Sequence, residues 1–142
     1  MAIANVVDEI SSSIDKKYTS IGVFIDLSKA FDTVDHKILL GKLELFGIRG
    51  VPLCLLGSYL KNRSQFVTLN GARSSTLSVT CGVPQGSILA PLLFLIYVDD
   101  MQFSSKLLKF VLFADDGNIF ASAHNISTIC CTLNTELSKL SD

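Results

Sequence analysis

The strongest constraint in this sequence is a pair of adjacent acidic residues, Asp115 and Asp116, between two apolar runs. The runs, Leu107–Ala114 and Asn118–Ala123, are rich in strand-forming residues, so they predict a hairpin with the acidic pair at its tip. Buried strands exclude carboxylates unless these have water, a partner or a cation. The pair therefore forms either an ordinary solvent-exposed turn or part of a metal site.

A third carboxylate, Asp26, ends another predicted strand, Ile21–Leu27. If this strand neighbours the hairpin at the same edge of a sheet, Asp26, Asp115 and Asp116 come together. Clustered carboxylates repel each other, which raises a pKa and costs stability, and a cation removes the conflict. Magnesium prefers hard oxygen ligands, and two ions about 3.5–4 Å apart can hold both oxygens of a phosphoryl transfer. The structural alternative is that Asp26 only caps the segment after it.

The remaining segments alternate between helical patterns and a second hairpin. Apolar spacing and end signals predict these elements: a helix over Ile3–Ile14, a helix capped by Asp35 that stops at Gly47, a helix from Pro52 to Leu60, strands at Gln65–Leu69 and Thr76–Thr80, and a helix over Ile126–Leu140. The run Ile88–Val98 is apolar on every side and predicts a buried helix. This order predicts an α+β fold, an antiparallel sheet with helices packed on one face.

Composition limits the class of protein. The chain has 142 residues, 49% of them hydrophobic, which is enough for the core of one domain, and its net charge of −1 lacks the basic excess of a self-sufficient nucleic-acid binder. Ile88–Val98 is too short to cross a bilayer, and Asp8 and Glu9 lie where a secretion signal is basic. These features predict an intracellular protein of the cytoplasm or nucleus, without membrane contact. The four cysteines, in apolar company, are expected to be buried thiols.

Three motifs occur in a recognisable order: "FIDLSKAFDTVDH" (Phe24–His36), "GVPQGSILAPLLFLIYVDDM" (Gly82–Met101) and "FADD" (Phe113–Asp116). Together they resemble the palm of reverse transcriptases of the non-LTR, LINE-like retrotransposon type, over nearly the whole chain. The resemblance implies a polymerase palm-like fold and a single partial reverse transcriptase domain over residues 1–142. One helix precedes the first motif and no primer grip or thumb motif follows the last, so fingers and thumb are expected to be largely missing.

The resemblance also implies the reaction and its metal. Asp26, Asp115 and Asp116 would be the catalytic residues. Asp26 and Asp115 would be the principal magnesium ligands, Asp116 an adjacent supporting ligand, and the backbone carbonyl of Leu27 a further ligand. Mg²⁺ would be the cofactor, with Mn²⁺ as a substitute. The implied reaction is attack of a DNA primer 3′-hydroxyl on the α-phosphorus of a deoxynucleotide, directed by an RNA template and releasing pyrophosphate.

Nucleotide-binding residues are implied by position. Phe31, five residues after Asp26, would lie under the deoxyribose and reject a 2′-hydroxyl, whereas the structural alternative is core packing. Gln85 and Gly86 match family residues that line the nucleotide pocket and approach the template, and a glycine suits close approach of backbone to substrate. Lys61 and Arg63 would contact a phosphate backbone, or would form a solvated basic pair.

Other polar residues are assigned structural positions. His36 and His124 are interpreted as surface residues, and Asp32 and Asp35 as turn and capping residues. The second acidic dipeptide, Asp99–Asp100, is interpreted as a solvated helix end. Two positions depart from the common family form: Gly117 replaces a small hydroxyl residue, and Ala90 replaces a glycine.

Three functions therefore compete. The first is an RNA-directed DNA polymerase core that acts with the missing fingers and thumb of a longer chain, so that the isolated chain is expected to be inactive. The second is a non-catalytic palm remnant that serves as a protein or RNA interaction module. A third is another magnesium-dependent nucleotidyl transferase or cyclase, against which Phe31 and the Gln85 loop argue. Exposed apolar surface is expected where fingers and thumb would pack.

Overall fold

The computed structural model describes residues 2–27, 29–113 and 116–140, so Asp115 lies outside the described residues. Contacts along the chain divide it into two compact units. We call Met1–Ser28 with Asp99–Asp142 the sheet unit, and Lys29–Val98 the helical unit.

The order of elements confirms the predicted α+β class. The helices and strands are α1 (Ala2–Asp15), β1 (Thr19–Asp26), α2 (His36–Leu45), α3 (Val51–Leu60), β2 (Arg63–Gln65), β3 (Thr68–Leu69), β4 (Ala72–Arg73), β5 (Leu77–Val79), α4 (Leu89–Val98), β6 (Lys109–Phe113), β7 (Asp116–Ala123) and α5 (Ile126–Leu140). Short 3-10 turns lie at Ala30–Asp32 and Asp99–Phe103. The predicted helices correspond to helices of the structure, because apolar residues recur at helical spacing most clearly in these segments.

The sheet unit is built on a three-stranded antiparallel sheet in the order β1-β7-β6. Successive side chains of a strand point to opposite faces. On one face Val23 and Ile119 are register partners, and Ile119 and Ala121 belong to a buried cluster with Ile129 and Leu133 of α5. Burial of this apolar face holds α5 on the sheet.

Helix α1 contacts the opposite face of the same sheet. The Ser13 hydroxyl donates to the Ser122 hydroxyl at 3.0 Å, and Ser122 shares a further hydrogen bond of 2.8 Å with Ser20. Lys109 of β6 forms an ion pair with Glu9 of α1. The sequence indicated helices on one face only, whereas α5 and α1 flank this sheet on its two sides. Both faces carry apolar residues that need cover, since Ile119 and Ala121 lie on one face and the buried Phe120 lies on the face of Ser20 and Ser122.

The helical unit has its core between α2 and α4 and around the end of α3. The buried apolar residues of this unit include Val34, Leu39, Leu43, Leu60, Leu93 and Phe94. Asp35 is the predicted N-cap of α2, since its Oδ1 accepts from the backbone N–H of Lys37 at 2.7 Å and of Ile38 at 3.1 Å. Pro52 lies in the first turn of α3, as predicted, where its missing N–H costs no helical hydrogen bond.

Two predictions of burial are wrong. Helix α4 buries Ala90, Leu93 and Phe94 but leaves Leu92 55% and Leu95 47% exposed, because α4 contacts the unit along one side only. All four cysteines, Cys54, Cys81, Cys130 and Cys131, are exposed. In α5 the inward positions are those of Ile129 and Leu133, so the two cysteines after Ile129 lie on the outer side.

The hairpin of the helical unit is longer and more divided than predicted. Strand β2 pairs with β5, and the short strands β3 and β4 pair beyond them, instead of one ladder between Gln65–Leu69 and Thr76–Thr80. Asn70 (φ 49°) and Gly71 (φ 81°) form the predicted turn, since both residues adopt the positive φ that a two-residue hairpin loop requires. In the described part of the chain, no helix has the length and apolar character needed to cross a membrane.

Candidate active site

Asp26 and Asp116 are register partners across β1 and β7. β1 ends at Asp26 and β7 begins at Asp116, which also pairs with Phe113 at the end of β6. One end of each of the three strands therefore lies at the same edge of the sheet. The two carboxylates, 90 residues apart in the chain, meet because the predicted strand and the predicted hairpin are neighbours.

Alternation places both carboxylates on the face opposite the α5 core. Phe24, two residues before Asp26, shares that face and is 77% exposed, with its ring 6.4 Å from that of Phe120 in an edge-on arrangement. Side chains directly opposite on antiparallel strands have Cβ atoms about 4.5–5.5 Å apart, and like charges there are destabilising. Among the described residues, no lysine or arginine forms an ion pair with Asp26 or Asp116. Both carboxylates are exposed, so two like charges face each other in solvent at this edge of the sheet.

The described residues contain two of the three predicted carboxylates. Within residues 2–27, 29–113 and 116–140 there is no group of three or more His, Cys, Asp or Glu side chains placed to hold a metal. Asp115, the third predicted ligand, is not among these residues. Leu27 directly follows Asp26 and is half-buried. Two facing carboxylates are hard oxygen donors, which fits magnesium or manganese chemistry.

The helical unit contains a cleft of 690 Å³ that includes Gln85. Its lining residues are Lys29, Asp32, Arg63–Gln65 and Ser78–Gln85. The Gln85 side-chain N–H₂ donates to Asp32 Oδ1 at 2.9 Å. A carboxylate accepts only, so this bond fixes the amide orientation and leaves Gln85 Oε1 as an acceptor for another group. Lys29 has a left-handed backbone (φ 57°), which is uncommon for a non-glycine residue and occurs often at functional sites.

Hydrogen bonds hold the loop that precedes Gln85 against the turn that follows β1. The Gly82 N–H donates to Val34 O at 2.8 Å, and the Val83 N–H donates to Phe31 O at 2.7 Å. His36 Nε2 lies 2.7 Å from Gly82 O. Because a carbonyl oxygen only accepts, the proton of this bond is on Nε2. His36 begins α2, as the sequence indicated, and is half-buried, and its bond to Gly82 ties two of the sequence motifs together, which the sequence did not indicate.

Gly82 is required by shape as well as by backbone conformation. Its φ is +87°, and a Cβ atom there would lie 2.7 Å from the Asp32 carbonyl oxygen. Asp32 is thus both a backbone wall for Gly82 and the side-chain partner of Gln85, beyond the turn role expected for it. Sequence analysis missed these contacts. The sequence did offer one signal for them, since the second motif begins with a glycine, Gly82, and the first contains Asp32 and His36 as polar partners.

The other predicted nucleotide-binding residues have distinct surroundings. Phe31 is half-buried, with its ring centroid 4.7 Å from that of the buried Phe94. Gly86 has φ +80° and is exposed, and no atom lies within 4 Å of the position of a Cβ. Arg63 lines the cleft, and its guanidinium lies 5.9 Å from the Tyr59 ring centroid. Lys61 is exposed and is not part of the cleft lining.

One acidic group of the helical unit has a perturbed pKa. The backbone N–H groups of Ile38 and Lys37 donate to the Asp35 carboxylate and lower its pKa from the ordinary value of 3.8. This is the effect of hydrogen bonds that favour the charged form at a helix N-terminus. The cap at the start of α2 is therefore stronger when Asp35 is ionised.

A three-stranded antiparallel sheet with facing carboxylates at one edge is the class of arrangement that the three motifs implied. Comparison with protein families agrees: the family described as "Reverse transcriptase (RNA-dependent DNA polymerase)" matches residues 3–141. The chain therefore belongs to the reverse transcriptase family.

Individual relatives come from mobile elements. The chain is 34% identical over 96 residues, 68% of its length, to the RNA-directed DNA polymerase from mobile element jockey of Drosophila melanogaster, of which the match covers 10%. It is 39% identical over 97 residues, also 68% of its length, to the probable RNA-directed DNA polymerase from transposon X-element of the same species, again 10% of that protein. A Pol polyprotein from the type-1 retrotransposable element R2 of Popillia japonica is 32% identical over 79 residues, 56% of this chain and 13% of that protein. The matched segment is thus about a tenth of the length of these relatives.

Proposed function

We propose that residues 1–142 are one partial domain, the palm of an RNA-directed DNA polymerase, made of both units. The observation that carries this proposal is the register pairing of Asp26 with Asp116 at one edge of the sheet. Family membership supplies the class of reaction, and the carboxylate pair supplies a place for it. An ordinary exposed turn at the hairpin tip would not require a second carboxylate directly opposite on β1.

Asp26, Asp115 and Asp116 are the proposed catalytic carboxylates and, with the backbone carbonyl of Leu27, the proposed ligands of Mg²⁺, for which Mn²⁺ can substitute. When bound, the metal would stabilise the attacking and leaving oxygens of the phosphoryl transfer. The pairing of β1 with β7 sets the spacing of Asp26 and Asp116 at one edge of the sheet before any substrate binds. Mutual repulsion between the two charges falls when a cation is held between them.

The helical unit supplies the proposed nucleotide-binding residues. Phe31, held against Phe94, is proposed to lie under the deoxyribose and to reject a 2′-hydroxyl. Gln85, oriented by Asp32, and Gly86, with open space above its backbone, are proposed to line the nucleotide pocket. Lys61 and Arg63 are proposed to contact nucleic-acid phosphates.

The proposed partners are an RNA template, a DNA primer and a deoxynucleoside triphosphate. The segment corresponds to about a tenth of its relatives, and it carries no basic excess, with a net charge of −1. We therefore expect no primer extension by the isolated chain and extension only with fingers and thumb regions of a longer polymerase.

The experiment that tests this proposal is a titration of the purified chain with Mg²⁺ or Mn²⁺, followed by thermal unfolding. A cation that binds only the folded state stabilises it by about 2.7 kcal/mol at a hundredfold excess over its Kd. We expect the unfolding midpoint to rise with metal in the native chain, and to rise less in Asp26→Asn and in Asp115→Asn. Asp8→Asn, an exposed acidic position on α1, is the matched control and should respond like the native chain.

Two outcomes would contradict the metal site. The midpoint of the native chain does not change with either cation, or it changes equally in all variants. Either result would favour the non-catalytic interaction module, in which the carboxylates have no metal to hold.

A further inference from the structure

Charge is divided unequally between the two units. The helical unit has seven basic and three acidic residues, and no Asp or Glu occurs between Glu44 and Asp99. The sheet unit has five basic and ten acidic residues. The near-neutral net charge of the whole chain thus conceals a cationic unit, and its residues 45–98 have no carboxylate that would repel phosphates.

Two of these basic residues, Arg63 and Arg73, lie on a hairpin over residues Arg63–Val79, which we call the hairpin arm. Every residue of the arm is exposed except Val79, which is half-buried. Phe66 is 47% exposed although phenylalanine is usually buried. The arm is not a loose loop, because four strands pair within it.

One contact within the arm combines charge with an aromatic ring. The Arg73 guanidinium carbon lies 3.5 Å from the Phe66 ring centroid. The strands hold this pair in place, since the Ser74 N–H donates to Val67 O at 2.9 Å and the Val67 N–H donates to the Ser74 hydroxyl at 2.9 Å. A cation–π contact pre-orders the guanidinium while leaving its N–H groups available. Among the described residues, Arg73 forms no ion pair.

We propose that the hairpin arm binds single-stranded nucleic acid, with Arg63 and Arg73 on phosphates and Phe66 beside an unstacked base. This inference deepens the proposed function by naming a surface for its nucleic-acid partner. Only the identity of the bound strand, template or primer, rests on that function. In a duplex the bases are already stacked on each other and leave no free face for an aromatic ring. An exposed ring beside a guanidinium therefore fits a single strand, whose bases are free to stack. A protein partner of this surface would have to be acidic, and phosphates supply that charge at every nucleotide.

The test is fluorescence anisotropy of a labelled oligouridine with the full chain in EDTA, so that metal binding has no part in the readout. Arg73→Gln should weaken binding several-fold and reduce the slope of log affinity against log salt by about 0.7, the value for one lost phosphate contact on a single strand. Phe66→Leu should weaken binding by about fivefold or more with an unchanged slope, because stacking does not release counterions. Arg73→Lys should keep the slope yet bind less tightly than the native chain.

The matched control is Lys16→Gln, which removes an exposed positive charge from the sheet unit and should leave affinity unchanged. Oligothymidine in parallel distinguishes an RNA template from a DNA strand, and either one supports the arm as a single-strand site. The proposal would be overturned if the chain showed no measurable binding or bound duplex RNA more tightly. It would also be overturned by equal losses of affinity in Lys16→Gln and Arg73→Gln, or by native affinity in Phe66→Leu. Because the assay excludes metal, failure here with a metal response that depends on Asp26 leaves the polymerase proposal standing.

Discussion

The Nε2 atom of His36 lies 2.7 Å from the carbonyl oxygen of Gly82 and joins two segments that are 46 residues apart. The first segment carries Phe31, and the second continues into Gln85. With the bonds from Gly82 and Val83 to Val34 and Phe31, this contact holds the Gly82–Gln85 loop against residues 31–36 within the helical unit. If Phe31 and Gln85 bind a nucleotide as proposed, these bonds set their spacing before the substrate arrives, which is the basis of preorganisation.

His36→Ala should lower the free energy of unfolding by about 1–3 kcal/mol, the cost of leaving a buried acceptor without a donor. Gly82 is buried, so water does not replace the lost N–H without rearrangement. Urea unfolding of the purified chain measures the change. Lys37→Ala, at the exposed neighbouring position, should stay within about 0.5 kcal/mol of the native chain. Equal stability of the two variants would show that the His36 bond contributes nothing.

Gly82→Ala and Gly86→Ala form a matched pair, because both glycines have positive φ, +87° and +80°. Only at Gly82 would the added Cβ meet backbone, at 2.7–2.9 Å from Asp32. Each variant should lose more than about 1 kcal/mol from its strained φ, with a clearly larger loss at Gly82. Thermal unfolding of both variants decides the order. A larger loss at Gly86 would contradict the close packing of the loop on Asp32.

Gly117→Ala should stabilise the chain by about 0.4–1 kcal/mol, because alanine reduces the conformational entropy of the unfolded chain. An added Cβ would meet Ile25 at 3.6 Å and Leu112 at 3.7 Å, which are ordinary van der Waals distances, and Gly117 does not have a positive φ. Chemical denaturation measures the gain. Gly22→Ala is the contrast, since its Cβ would lie 3.0 Å from the Phe120 ring and the ring would have to move. A loss of stability in Gly117→Ala would show that the hairpin needs the glycine.

The cap at Asp35 should make stability depend on pH. The pKa of Asp35 is lower in the folded chain than its ordinary value of 3.8, because the Ile38 and Lys37 N–H groups favour the carboxylate. Its contribution is therefore fully present above that ordinary value and is lost as the pH falls through the lower folded pKa. The stability difference between the native chain and Asp35→Ala should shrink over this acid range. Asp35→Asn keeps a neutral capping oxygen, so its stability difference from Asp35→Ala should not vary with pH there.

Sequence patterns predicted the elements whose periods are clear. The runs of strand-forming residues predicted β1, β6 and β7, and the end of a strand at Asp26 followed from the change to turn-forming residues after it. Asp35 as a helix cap followed from the apolar spacing behind it. These features depend on neighbours within a few residues, which the sequence displays directly.

Features that depend on distant partners were not predictable. A uniformly apolar run such as Leu89–Val98 does not indicate which side meets the core, so the exposure of Leu92 and Leu95 was missed. The bond from His36 to Gly82 requires a particular approach of two loops, and no local pattern encodes it. In the hairpin arm the Asn70-Gly71 turn was clear, but the exposed strands lack the one-sided burial that would fix their pairing.

The position of Asp26 opposite Asp116 depends more on the number of residues in β1 than on the identity of many of them. Asp26 faces Asp116 only while the count of residues from Thr19 onward is preserved. Deleting or inserting one residue within β1 would turn Val23 and Ile25 away from the α5 core and carry Asp26 to the wrong side of the sheet. We expect this strand to tolerate many conservative substitutions over evolutionary time and almost no insertion or deletion.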